Sequence, residues 1–458
     1  QTLSLLKVKE ALEDASIDSS SSKRKNIGCV LGIGGGQKAS NEFYSRMNYV
    51  VVEKVLRKMG LPEEDVDAAV KKFKAHFPLW RLDSFPGFLG NVTAGRCANI
   101  FNLDGMNCVV DAACASSLIA LKVAIDEILH GNCDTMVTGA TCTDCSIGMY
   151  MAFSKTPVFS RDQNVSAYDK DTKGMLIGEG SVMFVLKRLS KALADGDTVH
   201  AVIRGCASSS DGKAPGIYAP TIEGQELALR RAYSKAGIDP ATISLIEGHG
   251  TGTPVGDAIE LTALKNVLGE ADPTKERVAV GSIKSNIGHL KAVAGCAGML
   301  KVILALKHKT VPKSINVKDP PTLKDKTKIQ DSALFINTRK RPWFGRPGVP
   351  RRAGISSFGF GGANYHCVLE EFEPEQTKPY RVHSMPEAVI LSAASASKLA
   401  EVCEACRLEI SNALAAIDAE MAKHSAYSAP QKALAIVFAR FVSSYALSDR
   451  IPTSHARV

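Results

Sequence analysis

Long apolar runs are missing from this sequence. None reaches the roughly eighteen residues of a membrane-spanning helix, and the longest candidate, GMLKVILAL at 298–306, fits a buried helix. Dense basic tracts are missing too. The formal charge is +9, but the cations are scattered and aromatics make up only 6%, so a nucleic-acid interface is not indicated. A mild basic excess suits an acidic protein partner instead. Twelve cysteines in 458 residues are too dilute for a disulfide framework. CTDC (142–145) has no second pair at metal spacing, which leaves zinc and redox chemistry without support. Cys29, Cys108 and Cys296 sit in apolar runs, where cysteine acts as a small hydrophobe. GIGGGQKAS (32–40) and GHGTGTPVGD (248–257) lack the Lys-Ser/Thr ending of a phosphate-binding loop. An initiating Met and a signal-peptide layout are absent. We therefore expect a piece of a longer chain working in a reducing cytosol, where the sequons at Asn91 and Asn164 carry no weight.

What is present is an alternation. Apolar segments of strand length, 26–33, 107–111, 134–141, 181–189, 200–208, 243–250, 277–282 and 366–371, are separated by helical patterns. The helices expected between them include 63–77, a segment ending near Leu129 before Gly131, 223–236, 257–268 and 291–307. Near-continuous apolar strands with intervening helices indicate an α/β protein whose sheets are covered on both faces. The order strand, Gly-rich loop, helix, strand, reactive residue, buried helix occurs once around Cys114 and again around His289, a topological echo of duplication. Composition changes near 372. An apolar segment, 388–395, and an Ala-rich helical stretch, 398–424, follow. The expected divisions are 1–195, 196–372 and 373–458.

Four stretches carry candidate chemistry. In VVDAACASSL, Cys114 falls between a strand and a helix. A helix N-terminus favours thiolate over thiol, and its alanine neighbours leave room for an acyl group. In IEGHGTGTPVGD, His249 is flanked by glycines, which present it rather than pack it. Thr251 and Thr253 add hydroxyls, and Asp257 is a candidate cap for the following helix. In GSIKSNIGHLKAVAG, His289 again lies between strand and helix. Lys284, five residues earlier, would disfavour its protonated form. In ISSFGFGGANYHCVLEE, read as a third loop, Gly359, Gly361 and Gly362 bracket Phe360 and let backbone amides approach a ligand.

Taken together, DAACASSL, EGHGTGTPVGD, KSNIGHLKAVAG and SFGFGGAN resemble the β-ketoacyl synthase domain of polyketide and fatty-acid synthases over residues 1–372. GATCTDCSIGMYMAFSKTPVFS and YDKDTKGMLIGEG look closest to the polyunsaturated-fatty-acid synthases. The resemblance implies a thiolase-like fold, five layers αβαβα from two fused βα halves, followed after 373 by the start of a linker region. The family's opening strand is not found before Gln1, so the first sheet is expected to show an open edge. Bacterial fatty-acid enzymes carry a glutamate nine residues after the second histidine. Here that position is Gly298, as in polyketide-type domains.

The resemblance also implies roles. Cys114 would accept an acyl chain from an acyl carrier protein. His249 and His289 would stabilise the enolate from malonyl decarboxylation, with Lys284 orienting His289. The amides of Cys114 and Phe360 would form the oxyanion hole, and Phe360 would gate the site. Thr251 and Thr253 would bind the phosphopantetheine arm of the carrier. Asp257, Gly359 and Gly361 would support the site. No metal and no cofactor of its own is implied, because substrates ride on the carrier's phosphopantetheine. Partners would be carrier-protein domains, a second copy in a homodimer and other domains of the same synthase, with no nucleic acid and no membrane. Two alternatives stand beside this. A degradative thiolase would need a second cysteine where Phe360 stands. A non-catalytic chain-length factor would typically have lost the nucleophile that Cys114 retains.

Overall fold

The computed structural model describes residues 1–20, 26–34, 38–82, 84–156, 158–217, 219–269, 277–345, 349–372 and 393–421. The chain forms two compact units, Gln1–Phe372 and Glu373–Val458. In the second unit, Ala396–Met421 is one helix. Residues 388–392 of the expected apolar segment, and 422–424 of the expected helical stretch, lie outside the described residues.

The first unit is built on two sheets. The first contains β1 (Ile27–Gly32), β2 (Asn107–Val110), β3 (Thr135–Cys142) and β4 (Gly180–Lys187) in the order β2-β1-β3-β4. The second contains β5 (Val202–Ser210), β6 (Leu245–Glu247), β7 (Val278–Gly281), β8 (Leu334–Ile336), β9 (Arg352–Gly359) and β10 (Ala363–Glu370) in the order β5-β10-β9-β6-β7-β8. The segment read from sequence as a loop, 355–371, is therefore mostly a hairpin. Its turn is made where Gly361 and Gly362 take positive φ. The serines Ser356 and Ser357 hid β9, yet both are buried inside the sheet.

Strand alternation divides the core into layers. In β1, Cys29 and Leu31 face α1 (Thr2–Asp14) and α2 (Val92–Phe101), through Val8, Leu12, Cys97 and Phe101. Val30 faces the other way, onto Ala120 and Ala124 of α3 (Ser116–His130). In the second sheet, Ile246, Val280 and Val368 pack on α4 (Ile222–Ala236) and α5 (Pro254–Leu268). Leu245, Ala279 and Cys367 pack on α3 and α6 (Ala294–Lys307), through Leu118, Leu121, Met299 and Val302. The layers thus run helix, sheet, helix, sheet, helix, with α3 and α6 in the middle. A fully buried leucine such as Leu118 contributes about 2 kcal/mol of transfer free energy there.

The two sheets repeat one plan. The parallel pairs β1/β2 and β1/β3 and the antiparallel pair β3/β4 match β6/β7, β6/β9 and β9/β10. Each central helix is preceded by a single 3-10 turn, Ala113–Ala115 before α3 and Lys291–Val293 before α6. Ala113 (φ 50°) and Lys291 (φ 54°) open these turns in the left-handed region. In the second sheet β5 flanks β10. Among the described residues no strand flanks β4, and this is where the expected open edge lies.

Candidate active site

Cys114 sits in the 3-10 turn that leads from β2 into α3. Asp111 and Ser116 brace that turn. The Ala113 amide donates to Asp111 Oδ1 (2.8 Å), the Ala112 amide donates to Ser116 Oγ (3.0 Å), and Ser116 Oγ donates to the Ala113 carbonyl (2.7 Å). From the facing sheet, Ser357 Oγ donates to the Cys114 carbonyl at 2.8 Å. Gly359 must be glycine, because a Cβ there would overlap the carbonyl oxygen of Ala112. That approach brings the end of β9 onto the turn. The amides of Phe360 and of Cys114 itself then act on the sulfur in the direction that favours the thiolate.

The helix-start argument for a ready thiolate is nonetheless outweighed. Burial is the largest influence on Cys114 and pushes its thiol above the usual value. The charges of Lys284 and Lys291 and the two amides offset this only in part. The residue as a whole is half-buried.

The two histidines come from the loops after β6 and β7. Their rings stand edge to face with centroids 5.5 Å apart. His249 Nδ1 accepts the backbone amide of Phe358 at 3.2 Å, and His289 Nδ1 accepts that of Lys291 at 3.0 Å. An amide can only donate, so each Nδ1 carries no proton and each neutral ring holds its proton on Nε2. Among the described residues the buried His289 Nε2 has no hydrogen-bond partner. Burial first, then the charge of Lys284, holds both imidazoles well below their ordinary value.

Lys284 departs from its expected contact. Its ammonium lies against His249, bonded to that residue's carbonyl and 3.5 Å from its Nδ1. Its effect on His289 is one of charge alone. The β6 and β7 loops run side by side, which outranks the five-residue spacing in sequence. Lys284 is itself buried, and that desolvation lowers its pKa against the pull of Glu260 and Glu247.

Asp257 also departs from its expected place. Thr253 occupies the N-cap position of α5, and Asp257 lies inside the first turn. From there it reaches back to accept the amides of Gly252 (3.1 Å) and Tyr168 (2.7 Å). Burial raises its carboxyl to about 7. Thr251 and Thr253 share a hydrogen bond of 3.0 Å on the part-exposed rim of the loop. Phe360 is 46% exposed, which does not fit a core phenylalanine.

Several residues of this site do not stand out in the sequence. Glu260 accepts the amides of His249 (2.6 Å) and Gly250 (2.8 Å) and the hydroxyl of Tyr168 (2.9 Å). It does leave a signal, since two acids three apart on an otherwise apolar helix share a face. Phe358, Tyr168 and Lys291 leave none. Phe358 packs its ring 5.4 Å from that of His249. Lys291 Nζ donates to the Gly178 carbonyl at 2.6 Å and lies 3.7 Å from Cys145 Sγ.

The β-ketoacyl synthase N-terminal domain model matches residues 1–192 and its C-terminal domain model matches 200–318. The chain belongs to the β-ketoacyl synthase family. A ketoacyl-synthetase C-terminal extension model matches 324–436. A component of the polyunsaturated fatty acid synthase of Thraustochytrium sp. is 74% identical over 407 residues, 88% of this chain and 14% of that protein. Polyketide synthase PksL of Bacillus subtilis is 38% identical over 69% of this chain and 7% of its own length. The chain thus spans a small part of the curated relatives it matches. Among solved structures, the ketosynthase from module 6 of the Bacillus subtilis bacillaene synthase superposes with a TM-score of 0.66. It is 31% identical over 90% of this chain and 64% of that one. A PfaC ketosynthase–chain length factor gives 0.70, at 32% identity over 86% of this chain and 40% of that one. The five-layered arrangement is the thiolase-like ketosynthase fold. The family's enzymes are acyltransferases of the 3-oxoacyl-[acyl-carrier-protein] synthase type, and this chain is a ketosynthase domain similar to those of polyketide and polyunsaturated-fatty-acid synthases.

The raised thiol has a direct consequence. Alkylation of Cys114 by iodoacetamide should be slower at pH 7 than that of a free thiol, and should still be rising above pH 9. A rate that levels off below pH 8 would show a preformed thiolate.

Proposed function

We propose that this domain extends an acyl chain by two carbons through decarboxylative Claisen condensation of an acyl-Cys114 thioester with a malonyl-carrier thioester. The observation that carries the reading is the pair of neutral histidines, each with Nδ1 filled by a backbone amide, set across from the turn of Cys114, whose carbonyl accepts Ser357 from the histidines' sheet.

In the first half-reaction Cys114 Sγ attacks the carbonyl of an acyl thioester. The acyl group moves to Sγ, and the thiol proton ends on the departing pantetheine sulfur. A raised thiol pKa means that little thiolate stands exposed between turnovers. In the second half-reaction the malonyl thioester oxygen accepts the Nε2–H groups of His249 and His289. Those two donors stabilise the enolate as the carboxylate leaves as CO₂. Neutral rings suit this, since they donate without surrendering a proton to the enolate. The carbanion attacks the acyl carbon on Cys114. The amides of Cys114 and Phe360 hold the resulting oxyanion. Collapse expels the Cys114 thiolate, which takes up a proton, and the 3-oxoacyl product leaves on its carrier. Carbon dioxide loss supplies the electron pair, so the step needs no redox cofactor.

The remaining roles follow from position. Thr251 and Thr253, on the open rim, hydrogen-bond the pantetheine arm of an acyl carrier protein. The net positive charge attracts an acidic carrier. Phe360, half exposed on a hairpin tip beside Gly361 (φ 108°), covers the acyl thioester until malonyl enters. The unit works as a homodimer within a larger synthase in the cytosol. The helix Tyr49–Lys58 buries none of its residues, and its Val51 and Val55 line up with the C-cap residue Met59 in one exposed stripe, as a face awaiting a second copy would.

Incubation with an acyl-pantetheine thioester should add one acyl mass to Cys114, and Cys114→Ala should stay unmodified. His249→Ala and His289→Ala should keep acylation and lose condensation by about 10²–10³-fold. Normal condensation by either variant would refute the assignment.

A separate variant tests the gate. Phe360→Ala should hydrolyse its acyl-enzyme faster than the parent chain, with little change in melting temperature. A large loss of stability with unchanged hydrolysis would retire the gate.

A further inference from the structure

We infer that Glu247, paired with Lys301, is the positioning residue that holds the decarboxylating histidines in register, and that Gly298 is glycine in order to receive it. The inference deepens the condensation reading and rests on it.

Glu247 is the last residue of β6, two before His249, and it is buried. Its Oε1 accepts the amide of Ile283 at 2.6 Å, the residue just before Lys284. Its Oε2 meets Lys301 Nζ on α6 at 2.6 Å, with only 3% of the glutamate side chain and 15% of the lysine side chain exposed. The same side chain lies across Gly298, where an added Cβ would stand 2.8 Å from its Cγ. Its charge also acts on Lys284 in the direction that keeps that ammonium protonated.

One carboxylate therefore joins three segments: the strand end before His249, the turn before Lys284, and the helix that follows His289. A hydrophobic replacement could fill the space but not satisfy the Ile283 amide or the Lys301 charge, and a buried charge left alone is costly. Cys114 and its two amides sit on the β2–α3 turn and on β9, outside these three segments. The pair should therefore govern the malonyl half-reaction and spare the acyl half.

The geometry permits a sharper test, relocation of the carboxylate. Positions 298 and 301 are three apart on α6, so a glutamate at 298 can reach Lys301. It can do so only if residue 247 is small enough to vacate the space.

The experiment uses the full chain, an acyl-pantetheine thioester for Cys114 acylation and a malonyl-pantetheine thioester for decarboxylation. Glu247→Gln keeps the shape and an acceptor for Ile283 but loses the charge. It should hold acylation within about two-fold while its decarboxylation kcat falls about 10–100-fold with KM little changed. Glu247→Ala should lose as much or more. Glu247→Ala/Gly298→Glu should regain about ten-fold over Glu247→Ala, whereas Gly298→Glu alone should be impaired by collision. A double variant no better than Glu247→Ala overturns the inference, as does a Glu247→Gln variant that decarboxylates like an active parent. A parent chain that neither acylates nor decarboxylates overturns the condensation reading, and this inference with it.

Discussion

Two backbone amides set the chemistry of this site. Those of Phe358 and Lys291 donate to the Nδ1 atoms of His249 and His289, which leaves both neutral rings with their protons on Nε2. Burial makes the neutral state stable by penalising the imidazolium, and Lys284 adds a like-charge penalty. A side-chain carboxylate on either Nδ1 would do the reverse, moving the proton to that nitrogen and favouring the cation. A backbone donor is also fixed by the fold rather than by a rotamer, so the donors on the substrate side are aimed in advance.

That arrangement depends on the duplicated framework. Strand β9 is its spine: Ser357 binds the Cys114 carbonyl, Phe358 binds His249, and the Phe360 amide, just past the strand end, acts on the Cys114 sulfur towards the thiolate. Ser357 thus ties the nucleophile's half to the histidines' half, while Phe358 fixes His249 to the same strand end. The left-handed residues Ala113 and Lys291 open matching turns before the two central helices. In one half that turn presents a thiol; in the other it presents the amide that fixes His289.

Much of this was legible in the sequence, because the chemistry sits in short contiguous stretches. Cys114, His249 and Phe360 each lie just past a strand end among small residues, His289 lies between a strand and a buried helix, and strand alternation marks out the layers. What escaped was set by contacts between loops distant in sequence. Lys284 stands five residues before His289 but touches His249, since β6 and β7 are neighbours. Cys114 has the helix start expected of a reactive thiol, yet burial decides its proton. Strand β9 read as a loop because Ser356 and Ser357 carry no apolar signal, although both are buried. The place of Glu247 over Gly298 joins a strand residue to a helix residue about fifty positions away, a relation that no local pattern encodes.

Nitrogen-15 NMR of histidine-labelled protein tests the central claim most directly, because it reads tautomer and charge at each ring. Both His249 and His289 should be neutral with the proton on Nε2, and should stay so at pH 6, below their ordinary value of 6.5. An Nδ1–H tautomer at either ring, or an imidazolium at pH 6, would contradict it.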